Sequence, residues 1–201
     1  MSSGLVFLRP PWPPTSFAHG LATALAVDGA TRLGAVAGVE VELYRANPIG
    51  SDDTAAVRVR TARGTVVVAA VTLCAERIAS PYVVVHGELG SITLHYKESR
   101  VRLRTASVDE TTEYPTAGLL ADLVAHVRAP SRRLLAPVEE TGAFTEVLDA
   151  IRRAPDPRRV TGRAVGSGPG LRHVLSGVDE AVDRCAAELL LFSELGLGWT
   201  R

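Results

Sequence analysis

The sequence predicts an α+β fold, and three observations predict it. Apolar and polar residues alternate with period two between Val39 and Thr105, as in strands with one buried and one wet face. Stripes of period 3.6 take over from Thr116 onward. Strands in one block and helices in the next form the pattern of an open, mostly antiparallel sheet with helices on one face. The expectation is about six strands, helices packed on one face, and a further C-terminal helix.

The elements follow in order. "RPPWPP" (Arg9 to Pro14) reads as an extended lead-in, because proline lacks an N–H donor and fixes φ. "TSFAHGLATALAVDGA" predicts a helix with Phe17, Leu21, Ala24 and Leu25 on one face, Thr15 or Ser16 as its cap and Gly29 as its end. Six strands are expected: "VEVELYRA", "AAVRVRT", "TVVVAAVTLC", "YVVVHG", "SITLHY" and "RVRLRT". The third is almost wholly apolar, as befits a central strand.

Three helices are expected after the strands. "TAGLLADLVAHVRA" aligns Leu119, Leu120, Leu123, Val124 and Val127, and "EETGAFTEVLDAIRRA" aligns Phe144, Val147, Leu148 and Ile151. "RVTGRAVGSGPG" reads as a glycine-rich linker. The last helix has Ser176 as cap, a stripe of Val178, Val182, Cys185, Leu189 and Phe192, and Gly196 as its end. The expected division is a lead-in over 1–14, an α+β domain over 15–160, a linker over 161–175 and a packed helix over 176–201.

Composition narrows the function classes. The formal net charge is zero, which removes the electrostatic footprint of a nucleic-acid binder or a polybasic membrane module. No run reaches the ~18 apolar residues of a membrane span, and the four-residue apolar run before the prolines is too short for a secretory leader. Cys74 and Cys185 are too few and too far apart for a disulfide framework or a zinc site, and both are expected buried and inert. A cytoplasmic setting is the expectation.

Several motifs invite a functional reading. "HGELGS" (His86 to Ser91) could cradle a phosphate only if a helix followed, and the residues after Gly90 predict a strand. "GSGPG" (Gly166 to Gly170) has no clean leading strand, and Pro169 removes a donor. No histidine pair has metal-ligand spacing, so no metal site is expected. Arg58, Arg60, Arg100, Arg102 and Arg104 alternate on strands and are expected on a solvated or oligomer-facing sheet surface. His19, at the start of a helix, has two readings: an exposed helix-start residue, or a general acid/base.

The helix bearing His19, followed by "SDDTAAVRVRTARG", "ASPYVVVHGELGSITLHY", "LLADLVAHVRAP" and "VEETGAFTEVLDAIRRAPDPRRV", resembles the C-terminal domain of the Gfo/Idh/MocA oxidoreductases. The resemblance runs from about Thr15 to Val160. It implies an open, mostly antiparallel sheet whose face forms an oligomer interface. It also implies hydride transfer between a nicotinamide and a sugar, cyclitol or related alcohol, with His19 at the acid/base position. The NAD(P)-binding Rossmann domain of that family has no counterpart here. Its E-K-P motif is absent too, and Lys97, the only lysine, lies in the sheet region. Where the family pattern has aspartates four residues before and three after the histidine, this chain has Thr15 and Ala22.

The expectation is therefore a substrate and oligomerisation half that is inactive alone, binds no cofactor by itself, and forms a homo-oligomer or meets a separate Rossmann partner. The alternative is a non-catalytic dimerisation or ligand-binding module, or the product of a shortened gene.

Overall fold

The computed structural model describes residues 4–8, 15–77 and 79–201, so the prolines of the expected lead-in lie outside the described residues. The chain opens with β1 (Gly4–Leu8) and α1 (Thr15–Asp28). Next come β2 (Val36–Arg45), β3 (Thr54–Thr61) and β4 (Val66–Thr72). A meander of β5 (Tyr82–Gly87), β6 (Gly90–His95), β7 (Arg100–Thr105) and β8 (Asp109–Glu113) continues the sheet. After them come α2 (Leu119–Arg128), α3 (Gly142–Arg153) and the two-residue β9 (Arg158–Arg159). The hairpin of β10 (Arg163–Val165) and β11 (Arg172–Val174) precedes α4 (Val178–Glu188).

The architecture is α+β with a mostly antiparallel open sheet. The six expected strands are β2 to β7. Among the described residues the main sheet has nine strands, in the order β8-β7-β6-β5-β1-β4-β3-β2-β9. Its centre comes from an unexpected place. Gly4–Leu8, inside the stretch read as lead-in, is wedged between β4 and β5, parallel to the first and antiparallel to the second. Five residues that run into prolines carry too little periodicity to declare a central strand. β8 (DETTE) is wholly exposed, so no apolar alternation announced it.

Alternation along β3 and β4 feeds two cores. Val57, Val59, Val67 and Ala69 face α1 and α3, where Leu21, Ala24, Leu25, Ala143 and Val147 are buried. Each buried leucine contributes about 1.5–3 kcal/mol relative to exposure. Ala56, Val68 and Ala70 face the other way, against Val178, Val182, Cys185 and Phe192. The C-terminal helix thus covers the sheet face that α1 and α3 leave open.

Three local readings change. α4 stops at Glu188, because Leu189 adopts a left-handed φ of 58°, and Phe192 sits in a separate 3-10 turn, Phe192–Leu195. Gly177 occupies the cap position in place of Ser176, whose carbonyl instead accepts Trp199 Nε1–H at 3.2 Å. The stretch read as a linker is a folded hairpin around a 3-10 turn, Gly168–Gly170. A Cβ on Gly166 would lie 2.6 Å from the Gly170 carbonyl oxygen, so the close approach needs glycine.

Candidate functional site

α1 lies across β1 and β4 and carries His19 on its exposed side. The helix runs Thr15–Asp28 and stops at Gly29, which adopts a φ of 75° as expected, while Thr15 and Ser16, expected as caps, are inside the helix. The His19 carbonyl accepts the Thr23 hydroxyl at 2.7 Å. Among the described residues no carboxylate bonds the His19 ring, in keeping with Thr15 and Ala22 at the family's aspartate positions. His19 is exposed, with no carboxylate partner among the described residues.

The sheet beside α1 offers an apolar shelf. Register places Val85, Ile92 and Leu103 in one row across β5, β6 and β7, on the face of Val83, which belongs to the α1 core. α1 and α3 do not reach the outer strands, so Ile92 is 42 % and Leu103 38 % exposed. A shallow cleft of about 380 Å³ opens there, with Leu89 at the hairpin tip beside it.

The apolar stripe of α2 also faces solvent. Leu119, Leu120, Leu123, Val124 and Val127 are all exposed, with Leu120 at 76 %. An amphipathic pattern predicts that a stripe is covered, but does not say by what. α2 is tied down from its polar side: buried Asp122 accepts the Leu135 N–H at 2.9 Å and Arg132 Nη2 at 3.4 Å.

The tempting motifs resolve into structure. "HGELGS" is the two-residue hairpin between β5 and β6, with a strand after Gly90 as expected. "GSGPG" turns between two strands. Neither leads into a helix, so neither presents converging N–H groups to a phosphate. Among the described residues these glycine turns do not fit a nucleotide cradle, and no cluster of three metal-ligating side chains occurs.

The other four histidines are separated. His86 Nε2 meets the Ala186 carbonyl at 3.1 Å, docking α4 onto β5. His95 packs against the ring of Tyr82, and burial with nearby Arg100 holds its pKa below the ordinary value. His126 meets the Arg132 carbonyl. His173 bonds Asn47.

The arginines divide. Arg102 pairs with Asp109 at 2.6 Å on the exposed strands. Arg58, its side chain only 13 % exposed, grips Glu40 at 2.7 Å and Glu194 at 2.8 Å. Its hydrogen bonds hold both carboxyls below their ordinary pKa. Arg58 therefore fastens the C-terminal segment to the sheet; the alternating pattern alone did not separate it from its solvated neighbours. Burial pushes the Cys74 and Cys185 thiols up to about 12, so both stay protonated and unreactive at neutral pH.

No helix among the described residues is long and apolar enough to cross a membrane. No family model and no curated protein matches the chain. Solved structures do, at a level that shows the fold. A UDP-N-acetylglucosamine 3-dehydrogenase from Acidithiobacillus ferrooxidans is 15% identical with a TM-score of 0.57, over 74% of this chain and 51% of that one. An oxidoreductase from Agrobacterium radiobacter, solved with NAD+, L-tartaric acid and magnesium, is 13% identical with a TM-score of 0.55, over 76% of this chain and 55% of that one. A levoglucosan dehydrogenase, solved with NADH and levoglucosan, is 16% identical with a TM-score of 0.52, over 76% of this chain and 57% of that one. These neighbours are oxidoreductases, the class to which the sequence resemblance points, and this chain spans about half the length of each.

Proposed function

We propose that this chain is the substrate-side half of an NAD(P)-dependent oxidoreductase of the Gfo/Idh/MocA type, completed by a Rossmann domain that the described residues do not contain. The observation that carries the reading is the sheet fold itself, with His19 exposed on α1. Sugar, cyclitol or related alcohol substrates fit this reading. His19 is the residue of this chain that takes the proton of the alcohol hydroxyl. The nucleotide is held elsewhere, because the glycine turns described here end in strands.

Calorimetric titration of NAD and NADP into the purified chain is the direct test. The expected result is no heat for either. Micromolar binding would place a nucleotide site in these segments and overturn the division of labour. Mixed with a Rossmann-domain half, the chain should support alcohol-dependent reduction of NAD(P). His19→Gln should lower that rate by about 100-fold or more. A second reading, a non-catalytic binding module, is favoured by the missing carboxylate partner of His19, and an unchanged rate in that variant would select it.

Self-association belongs to the same proposal. Val85, Leu89, Ile92 and Leu103 leave apolar surface uncovered on the outer strands, while α4 already occupies the centre of the opposite face. Light scattering is expected to give a mass above one chain at high concentration. A strict monomer would remove this part of the proposal.

A further inference from the structure

The edge of the sheet at β2 and β9 holds two positive charges side by side. Arg45 and Arg159 are register partners in a parallel pair, so their side chains leave the same face. The Val160 N–H bonds the Arg45 carbonyl at 3.0 Å and fixes the pairing. Like charges in paired cross-strand positions repel. Among the described residues neither guanidinium has a carboxylate partner. Arg45 Nη1 is spent on the Ile49 carbonyl at 3.1 Å, and its Nε–H is buried with no hydrogen-bond partner.

These two arginines line a cleft of about 360 Å³ with Asn47, Thr161 and His173. Its floor is held rigidly. Buried Asp53 accepts the Asn47 backbone N–H at 2.7 Å and its Nδ2–H at 2.9 Å. That fixes Asn47 Oδ1 toward His173, which donates from its backbone N–H at 2.8 Å and meets the same oxygen through Nδ1 at 3.2 Å. Nε2 of His173 is left without a protein partner among the described residues. Across residues 159–161 a second cleft of about 570 Å³ continues past Ser176 to Trp199 and Arg201.

We propose that the Arg45–Arg159 cleft binds the phosphoryl group of a small phosphorylated molecule. A phosphate dianion matches two guanidiniums in charge, and its oxygens accept the in-plane N–H pairs that a guanidinium presents. A carboxylate carries one charge and leaves the second arginine uncompensated. The adjoining cleft gives room for the rest of the molecule, with the indole of Trp199 on its wall. This site is independent of the His19 reading. No residue of α1 lines the cleft.

The test is an NMR titration of the full chain with inorganic phosphate, at ionic strength balanced with chloride. The backbone amides of Thr161 and His173 and the Nε–H signals of Arg45 and Arg159 are followed. Saturable shifts confined to this cleft are expected, with acetate at least about tenfold weaker. Arg159 is exposed, so Arg159→Gln should fold normally and weaken phosphate about tenfold or more. Arg159→Glu should abolish binding and raise the melting temperature, because Arg45 gains a carboxylate. Arg184→Gln on α4, outside the cleft, should leave binding unchanged. Shifts that never saturate, acetate binding as tight as phosphate, or undiminished binding in Arg159→Gln would each overturn the proposal.

Discussion

Phe192→Ala is expected to destabilise the protein by about 3–5 kcal/mol, the cost of an emptied aromatic site in a core. For a chain of this size that lowers the melting temperature by roughly 6–20 °C. The Phe192 side chain is fully buried. Its ring centroid lies 6.2 Å from that of Tyr44 and 5.3 Å from that of Trp199, with edge-on geometry in both pairs. Tyr44 and Trp199 complete the triangle at 5.2 Å. Burial, then the nearby Glu42 carboxylate, pushes the Tyr44 hydroxyl above its ordinary pKa.

Around this triangle the last turns are fastened by polar contacts. Arg58 holds Glu194, Glu42 accepts the Ser193 N–H at 3.1 Å, and Arg158 Nη1 donates to the Thr200 carbonyl at 2.7 Å. Those contacts cannot refill the volume of a phenyl ring. The variant should therefore also expose residues 189–201 to protease before the rest of the chain. Calorimetry showing a loss below about 1 kcal/mol would mean that the cluster collapses onto the gap, and the assignment of Phe192 as its keystone would fail.

Gly90→Ala is expected to cost about 3 kcal/mol or more, from backbone strain together with a forced separation of strands. Gly90 has a φ of 154°, and an added Cβ would stand 2.0 Å from the Arg104 carbonyl oxygen on β7. That oxygen belongs to the backbone of a paired strand and cannot swing away as a side chain would. Gly87, its partner across the hairpin, is the control. A Cβ there meets nothing nearer than 3.7 Å, so Gly87→Ala should change stability little. Equal melting temperatures for the two variants would show that β6 and β7 part at little cost.

Much of this fold was legible because its signals are local. β2 and β7 alternate in the sequence, β4 reads as the apolar central strand it is, and Leu21, Ala24 and Leu25 are buried as their spacing on α1 requires. What escaped was decided by tertiary partners. β1 is too short to show a period, and β8 has no apolar residue to alternate. The stripe of α2 reads as a core face, yet its leucines meet solvent. The α4 stripe reads as one helix through Phe192, yet the chain breaks at Leu189 and the phenyl ring is delivered by a separate turn.

The site was legible only in part. His19 is where a helix-start residue should be, and no contact of its ring announces a role. The Arg45–Arg159 pair had no signal at all, since β9 is two residues long and its pairing with β2 joins distant stretches of chain.

The position of β1 has a consequence for how the molecule is made. Gly4 is bonded between Val66 and His86, so β1 precedes both of its neighbours in the chain by a long interval. During synthesis it must remain unpaired until β4 and then β5 have left the ribosome. Closing so long a loop for a central parallel pairing slows folding, because the entropy is lost before the contacts repay it. Until that insertion, β4 and β5 each present a bare edge, the state in which a chain is most exposed to pairing with a neighbouring copy.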